Sequence, residues 1–252
     1  MALIQAAKKL PSSFGEFAEQ LFLRVIKLAT YHRSTRADFV VDRYPDASIK
    51  NLERNKRASG GLEVMNIYGA DQRLPAQWIK FLKHGGNKEA LIRFLFEQWC
   101  TYKSTMFNGI VVYVCHDDKC HHLKPGIDIG PIIVQEIATL SCDHEEADTR
   151  MLLHPNHASQ SCDSVLIKSP DTDVFVLMLF FCHIIQCDLF LETGVNEKTR
   201  IINIGFVQQK IGEEKSKALI GFHAYTGCDS TSSFYGRSKI SSLKRFSITK
   251  DV

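Results

Sequence analysis

Three short acidic segments, His144-Glu145-Glu146-Ala147-Asp148, Ser169-Pro170-Asp171-Thr172-Asp173 and Gly227-Cys228-Asp229, hold side chains suited to oxygen-only metal ligation. Brought together in a fold, such carboxylates repel by roughly 4 kcal/mol per contacting pair at an effective dielectric near 20. Divalent cations remove that penalty. All-oxygen donor sets favour magnesium or manganese, and two such ions about 4 Å apart serve phosphodiester hydrolysis. The segments are tens of residues apart, so this chemistry requires elements that return distant stretches of chain to one place.

Those elements are legible in outline. Ser13 and Glu16 have capping-box spacing ahead of Phe17, Leu21, Phe22, Val25 and Ile26, which predicts a first amphipathic helix. Residues 38–42 read as a strand with Asp42 at its carboxyl end, and Pro45-Asp46-Ala47-Ser48 turns the chain into a second helix. Residues 58–76, with Gly60-Gly61, Gly69 and Pro75, read as a loop or short hairpin. Helices are expected over 75–83 and 88–99, then a strand over 110–114. About three helical turns are expected from Glu145, kinked or shortened by Pro155. Strands over 165–168, 189–191 and 200–204 and a helix over 213–223 complete the pattern. This alternation predicts an α/β protein, a three-layer α/β/α sandwich with a mostly parallel central sheet. Functional groups of such sheets gather beyond the carboxyl ends of strands, where Asp42 and Asp171 fall.

With 252 residues, 44% hydrophobic and 23% charged, the composition is that of a globular chain, read as one domain over 1–252. Charge is uneven: residues 1–110 carry 17 Lys/Arg against 10 Asp/Glu, residues 111–200 carry 6 against 14, and residues 201–252 carry 8 against 4. An acidic centre between basic flanks suits a metal pocket rimmed by phosphate contacts, and solvated faces generate the same asymmetry. The apolar run 174–185 is too short to span a bilayer, so no membrane association is expected. In Met1 to Lys9 the basic pair follows the apolar stretch, the reverse of a secretory signal. Eight cysteines without framework spacing suggest reduced thiols, hence a nuclear or cytoplasmic location and no secretion.

Each constellation has a plainer reading. Asp171 or Asp173 can cap the helix that follows, and Glu145, Glu146 and Asp148 can simply complement a helix dipole. Lys50, Arg54 and Arg57 recur at helical spacing and form a stripe that either holds a phosphate backbone or faces solvent. Cys115-His116-Asp117-Asp118-Lys119-Cys120-His121-His122 has loose zinc-ligand spacing without a second knuckle, so a polar turn is expected there. Trp78, Phe81, Phe94 and Trp99 are assigned to core packing. No phosphate-binding loop, dinucleotide glycine fingerprint or serine nucleophile elbow is present. Asp171-Thr172-Asp173 alone also fits a glycosyltransferase that holds a metal and a nucleotide-linked sugar.

Taken in order, the segments resemble the flap endonuclease-like branch of the PIN-like nuclease superfamily, over about 38–246. Asp42, with Ser48-Ile49-Lys50 and Glu53-Arg54-Asn55-Lys56-Arg57, is similar to its second acidic strand and basic helix. Glu146-Ala147-Asp148 resembles its paired acids, Asp171-Thr172-Asp173 its third acidic strand end, and Gly227-Cys228-Asp229 the segment of its last metal-binding aspartate. Gly236-Arg237-Ser238-Lys239 resembles the start of its duplex-gripping helical motif. The resemblance implies a nuclease using magnesium or manganese held by Asp42, Glu146, Asp148, Asp171, Asp173 and Asp229. It implies catalytic charge from Lys50 and Arg54, and nucleic-acid contacts from Lys50, Arg54, Arg57, Arg237 and Lys239. It further implies an arch or clamp over 58–103, an incomplete helix-turn-helix-like end over 227–252, and DNA or RNA, single-stranded or flap-like, as the partner. No obligate protein partner is inferred. The family opens with a strand bearing a metal-binding aspartate, whereas Met1 to Pro11 contains no Asp or Glu. The alternative expectation is therefore a catalytically inactive PIN-like domain that binds nucleic acid or a protein.

Overall fold

Ser13 starts the first long helix, as its spacing predicts. After a short helix α1 (Ala2–Gln5), α2 (Phe14–Tyr31) begins where Ser13 Oγ accepts the Glu16 N–H at 3.3 Å. Glu16 reaches one residue further back than a standard box and accepts from the Ser12 N–H and hydroxyl at 2.9 and 2.8 Å. Those bonds hold its carboxyl below the usual carboxylate range. Phe17, Leu21, Phe22, Val25 and Ile26 are all buried, with Phe14, Ala18 and Ala29 on the same face. Gly15 is needed in the first turn: its N–H bonds Ala70 O at 2.8 Å, and a Cβ there would lie 2.8 Å from Ala70 Cβ.

The computed structural model describes residues 2–5, 10–44, 64–126, 130–194, 196–228, 231–232, 239 and 242. The chain is α/β, and where one domain over 1–252 was expected it divides into two compact units, Met1–Arg150 and Met151–Val252. In the first, β1 (Arg36–Phe39) is followed by α3 (Trp78–Phe81), α4 (Gly85–Cys100), β2 (Val111–His116), β3 (Lys119–Lys124), β4 (Ile133–Glu136) and α5 (Ala147–Arg150). The sheet order is β1-β2-β3-β4, with β1 parallel to β2 and the later pairings antiparallel. The core lies between this sheet and helices α2 and α4, centred on Trp99, whose Nε1 donates to Ala18 O at 3.0 Å among Phe22 and Phe39.

Of the segment 58–103 read as an arch, residues 58–63 lie outside the described residues. Trp78, Phe81, Leu91, Phe94, Leu95 and Trp99 within it are buried in this core, because their helical spacing gives them an apolar face to bury. One expectation changes here. The polar turn expected after the 110–114 strand shrinks to Asp117 and Asp118, and β3 continues beyond it. Asp117 takes a left-handed conformation, φ 50°, that aspartate tolerates.

The second unit holds α6 (Leu153–Ala158), β5 (Ser164–Lys168), α7 (Thr172–Phe181), β6 (Asp188–Thr193), β7 (Arg200–Asn203), α8 (Ile204–Ile211) and α9 (Glu213–Tyr225). Its sheet order is β5-β6-β7, with β5 parallel to β6 across α7 and β7 antiparallel. Ile167, Val174, Met178, Leu179, Leu189 and Leu191 form the centre of an aliphatic core. Instead of three continuous turns from Glu145, the chain forms α5 and α6. Pro155 sits in the first turn of α6, where its missing N–H removes no helical bond. Where the strand over 200–204 was expected to end, Asn203 caps α8 by accepting the Phe206 N–H at 2.9 Å. No helix among the described residues is long and apolar enough to cross a membrane.

Candidate metal-binding site

Asp42 lies three residues past β1, and the acidic segment 105 positions later comes to it. Its Oδ1 accepts the Ala147 N–H at 3.0 Å, and its Oδ2 accepts the Tyr44 hydroxyl at 2.8 Å. Arg43 N–H donates to Glu145 O at 2.8 Å, Arg43 Nη1 to Asp143 O at 2.9 Å, and Arg150 Nη1 to Val41 O at 3.3 Å. Asp42 thus touches the Glu146-Ala147-Asp148 segment within the first unit through the Ala147 N–H, with backbone and guanidinium donors of Arg43 and the Arg150 guanidinium tying the flanking chain. Glu146 precedes α5 and Asp148 lies in its first turn, where a carboxylate complements the helix dipole.

Arg150 was missed in the sequence. It is 1% exposed, and among the described residues its Nε and Nη2 have no hydrogen-bond partner. A buried guanidinium with open donors is costly, and only its place after an acidic run hinted at it. Beside Asp42 a shallow crevice of about 10 Å³, room for about one water, is also lined by Glu89, His116 and Asp117. There His116 Nε2 lies 3.1 Å from His121 Nδ1, and His116 Nδ1 lies 3.3 Å from Asp117 Oδ2. Burial raises the Asp117 carboxyl, and the His116 hydrogen bond with the charge of Arg93 outweighs it, leaving Asp117 below its ordinary value. Cys115 and Cys120 face each other in the β2–β3 register, both fully buried. Cys142, Asp143 and His144 offer a second donor group in this unit, at the surface.

In the second unit, β5 ends at Lys168, and Ser169-Pro170 leads to Asp171, the N-cap of α7. Asp171 Oδ1 accepts the Asp173 N–H at 2.9 Å, and Ser169 Oγ accepts the Asp171 N–H at 3.1 Å. The capping role is therefore real for Asp171. It leaves Asp173 turned elsewhere, with Oδ1 at 2.7 Å from His223 Nε2. His223 sits in the last turn of α9, 9% exposed, and Cys228 follows in the turn beyond. Asp173, His223 and Cys228 each offer a ligand atom within 4.8 Å of the other two. Lys239, expected on nucleic acid, places Nζ 3.1 Å from His223 Nδ1. His223 and Cys228 gave little warning, since 50 residues separate His223 from Asp173.

Lys50, Arg54, Arg57, Asp229 and Arg237 lie outside the described residues, as does the expected second helix after Asp42. Of the expected ligands, Asp42, Glu146 and Asp148 belong to the first unit and Asp171 and Asp173 to the second. No protein-family model, curated protein or solved structure matches this chain.

Proposed function

We propose that this chain is a PIN-like, metal-dependent nuclease that hydrolyses phosphodiester bonds of DNA or RNA, single-stranded or flap-like. The observation that carries the reading is the bond from Ala147 N–H to Asp42, which joins two acidic segments distant in sequence. The exit of β5 into Asp171 and Asp173, beside a parallel strand, supports it further. Half-buried carboxylates at Asp42, Glu146, Asp148, Asp171 and Asp173 suit magnesium or manganese, with Asp229 as a sixth ligand. Such an ion supplies an activated water and charge neutralisation at the phosphate. Lys50 and Arg54 place positive charge on the phosphate, and Arg57, Arg237 and Lys239 hold the strand. The reading requires a three-layer α/β/α sandwich and ions held by these carboxylates, which anomalous scattering from manganese-soaked crystals tests directly.

The functional test uses labelled single-stranded, duplex and flap substrates with magnesium or manganese, with and without EDTA. The reading expects metal-dependent cleavage that falls by more than about 100-fold when Asp171→Asn and Asp173→Asn are combined. Cleavage unchanged in that double variant ends it. A second reading, an inactive domain that binds nucleic acid or a protein, is favoured by one observation: both oxygens of Asp42 already accept protein hydrogen bonds. It expects binding to DNA or RNA that survives EDTA, and no cleavage with any divalent ion.

A further inference from the structure

Three elements of the second unit bring unlike donors together. Asp173 stands in the first turn of α7, His223 in the last turn of α9, and these two helices pack on one another. Past α9, Gly227 adopts φ 94°, a conformation open to glycine, and the chain reverses there to present Cys228. The reversal is tied down: Cys228 N–H donates to Thr231 O at 3.1 Å, Thr231 N–H to Cys228 O at 3.2 Å, and Thr231 Oγ1 to Ala224 O at 2.6 Å. A carboxylate, an imidazole and a thiol are thereby fixed within 4.8 Å of each other.

We infer that Asp173, His223 and Cys228 form a transition-metal site of the zinc class, and that Lys239 competes with the ion for His223. Nitrogen and sulfur donors prefer zinc to magnesium, and three protein ligands leave a fourth position open to water or substrate. Around tetrahedral zinc, ligand atoms lie about 3.3–3.6 Å apart. The 2.7 Å Asp173–His223 bond then opens by about 0.6 Å as an ion takes the place of the proton between them. The Lys239 ammonium donates to His223 Nδ1, so the imidazole hydrogen resides on Nε2 and faces Asp173. Coordination through Nε2 moves that hydrogen to Nδ1, which no longer accepts from Lys239, and the lysine must leave. The Cys228 thiol proton passes to solvent as the thiolate binds. A cysteine–histidine–aspartate nucleophile is the weaker reading, because Asp173 and Lys239 occupy both imidazole nitrogens and leave none to activate Cys228.

The inference shares Asp173 and Lys239 with the nuclease reading and gives them a different task, yet the two fail separately: a chain that binds zinc and cleaves nothing supports the zinc site, and one that cleaves with magnesium yet ignores zinc removes it alone. The test titrates cobalt(II) into the reduced, chelator-stripped full chain and follows the near-ultraviolet thiolate-to-cobalt absorption. Zinc affinity is then read by competition with a chromogenic chelator. A thiolate band is expected that zinc abolishes and excess magnesium leaves intact. Second-sphere changes cost 10–100-fold in affinity, so loss of a ligand in Cys228→Ser or His223→Ala is expected to cost more than about 100-fold. Lys239→Met is expected to bind zinc several-fold more tightly. Circular dichroism in EDTA separates loss of ligand from loss of fold, and the near-isosteric serine keeps the turn. A band that persists in Cys228→Ser, or zinc affinity unchanged in that variant, overturns the assignment.

Discussion

Asp42 and Asp173 are both half-buried aspartates within five residues of the end of a strand that pairs in parallel, yet their surroundings differ in kind. Asp42 accepts from a backbone N–H and from a tyrosine 3% exposed, donors that the fold cannot withdraw. Asp173 faces an imidazole whose hydrogen can move to the other nitrogen, with a thiol beside it. The first carboxylate holds two segments together through fixed donors, and the second meets a side chain that can give up its hydrogen. Two acids in similar strand-end positions therefore differ in how readily an ion can displace the donor each one faces, Asp173 more readily than Asp42.

The cores beneath the two sites differ as well. Trp99 is fully buried, with its indole N–H bonded to Ala18 O and rings of Phe22 and Phe39 at 5.5 and 5.2 Å. The second unit buries aliphatic side chains in a smaller set. The largest expected effect is thus Trp99→Ala, which removes the centre of the first core and costs about 3–5 kcal/mol. Urea unfolding followed by circular dichroism reads this loss. Cobalt binding at Cys228 should persist in the variant at denaturant concentrations where the second unit remains folded. Loss of both together would show that the contrast between the units has no energetic meaning.

Asp42→Ala sharpens the contrast at the sites themselves. It strands the Tyr44 hydroxyl and the Ala147 N–H, and leaving a polar group unpaired costs about 1–3 kcal/mol. Because Asp42 is half-exposed and water reaches it, a total near 2 kcal/mol is expected from urea unfolding in EDTA, with zinc affinity unaltered. An Asp42→Ala chain as stable as the parent would mean that Asp42 does not hold the 143–150 segment.

The parts of this molecule that were legible in sequence are those where local chemistry and burial agree. Helix α2 shows its cap at Ser13 and its apolar face at Phe17, Leu21, Phe22 and Val25, and each behaves as its spacing demands. Strand β5 and helix α9 were equally plain. Strand β3 was not: Lys-Cys-His-His-Leu-Lys reads as a polar turn, because Cys120 and Leu123 alone are buried in it. Strand β4 is exposed at every position, so no periodicity marks it. Helix α8 had a signal in Asn203 followed by Ile204, Val207 and Ile211, masked by the β-branched run before it. At the sites, the motif marked Asp171 and Asp173 alike, but which of them caps α7 and which meets His223 depends on which way each side chain turns. His223 and Cys228 reach Asp173 only through the packing of α9 on α7 and the reversal at Gly227, neither of which a local pattern encodes.

The smallest effect lies in the hairpin of the first unit, whose polar groups respond to burial and need no metal. Burial lowers His121 from its ordinary value, aided by the neighbouring His116 and Lys119 and opposed by Glu136. Burial also lowers His122, aided by Lys124. A histidine with a depressed folded value binds protons more readily when unfolded. Stability of the first unit should therefore fall as pH drops below about 6.5, until the folded histidine also titrates. Asp117, also held below its ordinary value, contributes stability above the unfolded value near 3.9 that is lost at still lower pH. The two windows are separate, so unfolding at pH 7.5 and pH 5.5 in EDTA isolates the histidines. His121→Gln keeps a polar side chain beside His116 and is expected to flatten part of that slope, leaving the share of His122. A slope identical in parent and variant would mean that His121 is as solvated in the folded chain as in the unfolded one, and the hairpin would then draw no pH dependence from its burial.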